Sequence, residues 1–273
     1  MAVRLIHMSD IHGDFEILDR SLEVVVKSKP DVLAITGDLS GEVFNKEETG
    51  AYLTCYNEFD VIHSQVMRVK EGFIGYHDAA QSLIRGELNA SDGVRDVARK
   101  YLEFEMMAEG RKLAQYREFK KRFDSLDSKI ILVPGNWDIV GIDEVLAEEN
   151  IHCKTKARVN ELGFAGYGGS SDHPNVLPLD LCIPFSEDEG FIYLNKQTEG
   201  EEGAEVILTH ECPRGSGGDR HGGSWWVSAL LYKTQPSLFL FGHSHYPILG
   251  QDDKSQCFIS SPAERKLPCF SSE

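Results

Sequence analysis

The feature that most constrains this chain is a repeated unit, a short apolar run that ends in Asp, Asn or His. Val3 to Met8 leads into Asp10-Ile11-His12, and Leu238 to Phe241 leads into Gly242-His243-Ser244-His245. Between them, Val32 to Ile35 is followed by Gly37-Asp38, and Lys129 to Val133 by Pro134-Gly135-Asn136-Trp137-Asp138. Val206-Ile207-Leu208 ends at Thr209-His210. Short apolar runs bounded by Gly, Pro and polar residues read as buried strands. In open α/β sheets the reactive crevice lies beyond the carboxyl ends of the strands, where loops from several strands meet. Both ends of the chain are therefore expected to meet at one edge lined with carboxylates and imidazoles. That donor mixture suits zinc, manganese or iron.

The rest of the chain supports a soluble α/β protein. At 273 residues it can bury a full core, and 41% apolar with 26% charged residues is ordinary for a globular chain. A net charge of -16 disfavours long nucleic acid as a partner, since nonspecific binding needs a basic footprint. No apolar stretch approaches the roughly 20 residues that span a bilayer, and no signal-like leader precedes Ser9-Asp10. The six cysteines are scattered without zinc-knuckle spacing, which points to reduced thiols and a cytoplasmic location.

Taken in order, Ile17 to Val26 reads as a helix after the first strand and Pro30 as its break, giving a βαβ start. From 43 to 129 the pattern turns helical and the charge is nearly balanced. Val94, Val97, Tyr101, Phe104 and Ala108 mark one helical face, and Leu113, Tyr116, Phe119 and Phe123 another after Gly110. This stretch is expected to be a helical insertion of three or four helices within a single domain spanning 1–273. It would cover a sheet face, shape the substrate mouth or make a homo-oligomer contact. A short helix is expected over Ile142 to Glu148, a hairpin over Val159 to Tyr167, and irregular chain from Asp172 to Asn195. A charged turn is expected over Lys196 to Glu205, a Gly-rich functional loop over Glu211 to Ser224, and a helix over Trp225 to Leu231. Phe258-Ile259 and the Cys269-Phe270 tail would finish a sheet edge.

Five motifs stand in a diagnostic order: Asp10-x-His12, Gly37-Asp38, Gly135-Asn136-x-Asp138, His210 and Gly242-His243-x-His245. On these the chain resembles the calcineurin-like metallophosphoesterases, over nearly its whole length apart from the helical insertion. The resemblance implies an α/β fold, a four-layer α-β-β-α sandwich of two mixed sheets. It also implies two divalent or transition metal ions (manganese, iron or zinc). Asp10, His12 and His245 would ligate one ion, Asn136, His210 and His243 the other, with Asp38 bridging. A metal-bridging hydroxide would then attack phosphorus in line, the ions of such pairs lying roughly 3.5–4 Å apart. The implied substrate is a small phosphorylated molecule, with a phosphodiester or nucleotide-like ester favoured over a phosphomonoester or a protein phosphate. A noncatalytic metal-bound scaffold is the alternative.

One position departs from the familiar pattern. The residue between Asn136 and Asp138 is commonly a histidine that can protonate the leaving oxygen, and here it is Trp137. Indole nitrogen only donates a hydrogen bond, so Trp137 cannot act as that acid. Loss of a general acid costs on the order of 100- to 10,000-fold against a poor leaving group. The chain would then favour activated leaving groups, or use another acid such as His221 or His173. Trp137 could stack on a base or aryl group, or simply pack. Asp138 loses its usual histidine partner and is expected to hydrogen-bond within the turn. Arg214 is a candidate for a phosphate oxygen or a surface ion pair. His7 and His63 read as structural.

Overall fold

The computed structural model describes residues 3–69, 74–154, 156–171, 177–200, 203–214, 223–244, 248–251 and 258–261. Strands β1 (Leu5–Met8), β2 (Val32–Thr36) and β3 (Lys129–Val133) form a parallel sheet in the order β1-β2-β3. The second sheet contains β4 (Ala157–Val159), β5 (Leu162–Tyr167), β6 (Val206–Thr209), β7 (Leu238–Phe241), β8 (Ile248–Gln251) and β9 (Phe258–Ser261). Its order is β4-β5-β6-β7-β9-β8, parallel from β5 to β9 and antiparallel at both edges.

Strand periodicity explains the layers. Along β2, Leu33 and Ile35 join a core with helices, while Val32 and Ala34 join another with the facing sheet. Side chains alternate faces with a period of two, so a strand buried on both sides reads as a continuous apolar run. The inter-sheet core adds Ile131, Val133, Phe164, Val206, Leu208 and Leu240. The helix α1 (Phe15–Ser28) covers the first sheet, and Asp14 caps it by accepting from the N–H of Glu16 and Ile17. On the outer face of the second sheet lie α6 (Glu187–Thr198) and α7 (Trp225–Thr234). The result is two sheets flanked by helices, the α/β/β/α arrangement expected from the motifs.

Between β2 and β3 lie α2 (Lys46–Val69), α3 (Tyr76–Ile84) and α4 (Asp92–Phe123). Gly110 does not divide α4 into two, contrary to the sequence expectation. A Cβ there would meet nothing, so the glycine sits over open space and costs only about 1 kcal/mol against alanine. The two apolar faces belong to one helix with two jobs. Ala98 and Tyr101 pack with α2 and α3, whereas Tyr116, Phe119 and Phe123 join the first sheet's core. A helical turn at Val140–Ile142 leads into the short α5 (Asp143–Leu146).

Two other expectations differ from the fold. Irregular chain is expected up to Asn195, yet α6 begins at Glu187, where Ser186 accepts from the Glu189 N–H and acidic residues fill the first turn. Acidic side chains favour a helix N-terminus, so this charge run is a start signal. The strand at Phe258 is internal, with β8 outside it at the edge. Cys269-Phe270 lies outside the described residues.

Candidate metal centre

The strand ends of both sheets converge. Asp10 and His12 follow β1, Asp38 follows β2, Asn136 follows β3, His210 follows β6 and His243 follows β7. The loops are stitched directly to one another. Asp10 Oδ1 accepts from the His243 N–H at 3.1 Å, and the Gly242 N–H donates to the His210 carbonyl at 3.2 Å. Ser9 Oγ donates to the Thr36 carbonyl at 3.0 Å. One donor atom each from Asp10, His12 and Asp38 lie within 4.8 Å of one another, a grouping that can hold a metal ion.

The backbone is bent to achieve this. Asp10, His12, Asp38 and His243 have φ of 55°, 48°, 51° and 62°. Left-handed backbone costs a side-chain-bearing residue of order 1–3 kcal/mol, and such strain collects at functional sites. Close packing of the loops also explains two glycines. Gly37 has φ of 91°, and a Cβ there would lie 2.5 Å from His210 Nδ1. At Gly135 a Cβ would lie 2.1 Å from Asp38 Oδ1.

His210 supplies the test of fit to a cation. It is fully buried, and its Nδ1–H donates to the Thr36 carbonyl at 2.8 Å. That bond fixes the tautomer, so in the neutral ring Nε2 carries a lone pair. Nε2 nevertheless faces Asn136 Oδ1 at 2.8 Å and Asp38 Oδ2 at 3.4 Å. A lone pair facing these oxygens fits a proton or a shared cation between them. Burial alone would lower the His210 pKa, but the Asp38 carboxylate reverses this and pushes it up to about 10. Burial would likewise raise Asp38, yet His210, His12 and the Trp137 N–H hold it well below the usual carboxylate range. His12 Nε2 approaches Asp38 Oδ2 from the other side at 3.6 Å. The buried carboxylates and imidazoles fit a metal ion by charge, donor type and spacing.

His245 and His221 lie outside the described residues, as does His173. Asp138 is fully buried beneath the centre. Its carboxylate accepts from the N–H groups of Leu39, Ser40 and Gly135 and from the hydroxyls of Ser40 and Tyr116. It thus ties the loop after β2 to the loop after β3. Trp137 is half-buried, its ring edge-on to His12 with centroids 5.8 Å apart. Arg214 is exposed and lies over Trp225, 4.3 Å from the ring centroid. His7 Nε2 pairs with Thr36 Oγ1 at 2.8 Å, and His63 Nε2 donates to the Ile74 carbonyl at 2.7 Å while stacking on Tyr76.

Lys112 escaped the sequence reading. This α4 residue is fully buried, and its ammonium donates to Ser40 Oγ, the Gly41 carbonyl and the Trp137 carbonyl at 3.0, 2.7 and 2.5 Å. The signal was present, since Lys112 lies four residues from both Ala108 and Tyr116 on the buried stripe of α4. A lysine within an apolar stripe either snorkels to water or finds buried acceptors.

The N-terminal region matches the calcineurin-like phosphoesterase family. The match covers residues 3–71, which hold Asp10, His12 and Asp38. One solved structure aligns with 97% of this chain and 91% of its own at a TM-score of 0.63 and 16% identity. The structure of TT1561 of Thermus thermophilus aligns over 96% of this chain and 90% of its own, with a TM-score of 0.56 and 14% identity. At such identities the likeness is one of fold. No curated protein matches the sequence. Together, the calcineurin-like region and its Asp-His cluster point to a metal-dependent hydrolase. Among the described residues no helix is long and apolar enough to cross a membrane.

Proposed function

We propose that the chain is a two-metal phosphoesterase acting on a small phosphodiester or nucleotide-like ester. The buried grouping of Asp10, His12 and Asp38 at one strand edge carries this reading. Asp10 and His12, with His245, would hold one ion, and Asn136, His210 and His243 the other, with Asp38 between them. Manganese, iron and zinc all suit this donor set. When bound, the ions supply Lewis acidity toward the phosphoryl oxygens and an acidified water as nucleophile.

The chain's own residues prepare that chemistry. Thr36, by accepting from Nδ1–H, makes Nε2 the His210 atom that would face an ion. The Trp137 N–H, 2.8 Å from Asp38 Oδ1, orients the carboxylate between the imidazoles. Trp137 offers no proton to a leaving oxygen, which favours esters whose leaving group departs without one. The free thiols of Cys55, Cys153 and Cys182 accord with a reducing compartment such as the cytoplasm.

Hydrolysis of bis-p-nitrophenyl phosphate and p-nitrophenyl phosphate tests the proposal. Metal-stripped protein is assayed before and after addition of manganese, zinc or iron, with Asp38→Asn as control. Metal-dependent turnover of the diester, lost in Asp38→Asn, is the expected result. Turnover of the monoester alone would overturn the diester preference. Two bound ions without any turnover would favour the scaffold.

A further inference from the structure

Beside the metal centre lies a cavity of about 300 Å³ whose lining includes Val43, Phe44, Asn45, Thr49, Trp137 and Leu177. The wall formed by residues 43–45 grows out of the centre itself. It begins a few residues after Asp38, and Gly41 packs so tightly against the His12 main chain that a Cβ would lie 1.9 Å from the His12 carbonyl oxygen. Trp137 joins the two sites, because its ring meets His12 edge-on while also lining the cavity.

The helical insertion holds this wall in place. Arg111 of α4 donates to the Val43 carbonyl at 2.5 Å and forms a two-pronged pair with Glu48 at 2.7 and 2.8 Å. Its neighbour Lys112 grips the Gly41 and Trp137 carbonyls. Adjacent residues of one helix therefore hold the main chain of Val43 and of Trp137, both of which line the cavity. Asn45 caps α2 by accepting from the N–H groups of Glu47 and Glu48, so its oxygen is committed while its amide donors remain for a ligand.

We propose that this cavity is a leaving-group subsite for one flat aromatic group, with Trp137 as the stacking surface. The proposal rests on the phosphoesterase reading and adds the substrate class. The lining chemistry suits such a group: Val43, Trp137 and Leu177 offer apolar and aromatic surface for its faces, Asn45 and Thr49 polar atoms for its edge, and the exposed Glu42 and Lys46 complete the lining. The volume suits a single ring system or nucleoside rather than a polymer. A base and an aryl alcohol share this chemistry, and the test separates them.

Calorimetric titration of the zinc-loaded protein with three non-hydrolysable anions provides the measurement. Methylphosphonate, phenylphosphonate and 5′-deoxyadenosine-5′-phosphonate, each carrying its organic group on a P–C bond, differ in what extends beyond phosphorus. At least one aromatic ligand is expected to bind about 5- to 100-fold tighter than methylphosphonate, the range that stacking on an aromatic side chain supplies. Preference for the phenyl compound identifies an aryl subsite, and preference for the adenosine compound a nucleoside subsite. Trp137→Leu should remove the advantage while methylphosphonate still binds, and Trp137→Phe should retain most of it. Equal affinity for all three ligands would overturn the subsite and leave the phosphoesterase reading standing. Failure of methylphosphonate to bind a protein that has taken up zinc would overturn the phosphoesterase reading itself.

Discussion

Replacing Lys112 with methionine should flatten part of the protein's stability profile in alkali. The ammonium is fully buried, and desolvation lowers its pKa from 10.5 to about 8 despite partial compensation by Asp138 and Asp38. Between those values the unfolded chain binds the proton and the folded chain does not. Stability must therefore rise with pH across that window. At pH 7 the shift costs the fold about 3 kcal/mol, and at pH 9.5 the remaining cost is about 1.4 kcal/mol, so wild type gains about 2 kcal/mol between them. Lys112→Met has no such gain. Its lost hydrogen bonds move the whole curve without entering the difference, and buried tyrosines act on both proteins alike.

Urea unfolding of both proteins at pH 7 and pH 9.5, with chelator present, measures the effect. Wild type minus Lys112→Met should change by about 2 kcal/mol in favour of wild type as the pH rises. Parallel behaviour would refute a charged, desolvated Lys112. A change of opposite sign would mean that the pKa is raised, with Asp138 and Asp38 dominating burial.

Three further substitutions probe the scaffold. Gly135→Ala places a Cβ 2.1 Å from Asp38 Oδ1, and it should cost about 1–3 kcal/mol while weakening metal binding at least about tenfold, read by denaturation and metal titration. Wild-type metal affinity would show that the two loops are not held in contact. Asp138→Asn sets an amide among N–H and hydroxyl donors and should cost about 2–4 kcal/mol in the metal-free protein, measured by urea titration. Tyr116→Phe removes a buried hydroxyl that donates to Asp138 and accepts from the Ile139 N–H. It should cost about 1–3 kcal/mol, and an unchanged midpoint would deny the loop a tie to α4.

Much of this was legible in the chain because it is written locally. The strand of Val32 to Ile35 is buried on both faces, so it reads as an unbroken apolar run ending in turn residues. The same locality puts Asp10, Asp38 and His210 at strand ends without knowledge of their convergence. What escapes a sequence reading depends on distant partners. Lys112 reads as a solvated charge until the acceptors contributed by Gly41 and Trp137 are in place. The internal position of β9 follows from strand order, which no local run encodes. The helix α6 is different, since its Ser186 cap and acidic first turn are local signals that an irregular reading of this stretch overlooks.

Trp137 shows how the side chain beside a candidate metal centre can vary while the main chain around it keeps its bonds. The main chain at this position carries the structural duties: its N–H holds Asp38 at 2.8 Å, and its carbonyl accepts from the Lys112 ammonium. None of these bonds involves the indole. A side chain here can therefore be exchanged while the orientation of Asp38 persists, because the peptide bond has no memory of which residue it belongs to. The anchors of that peptide come partly from α4, through Lys112, and partly from the turn held by Asp138. The helical insertion is thus mechanically joined to the centre rather than appended to the sheet. Under the phosphoesterase proposal, the absence of histidine at position 137 bears on which leaving groups would be handled, and does not argue against ion binding.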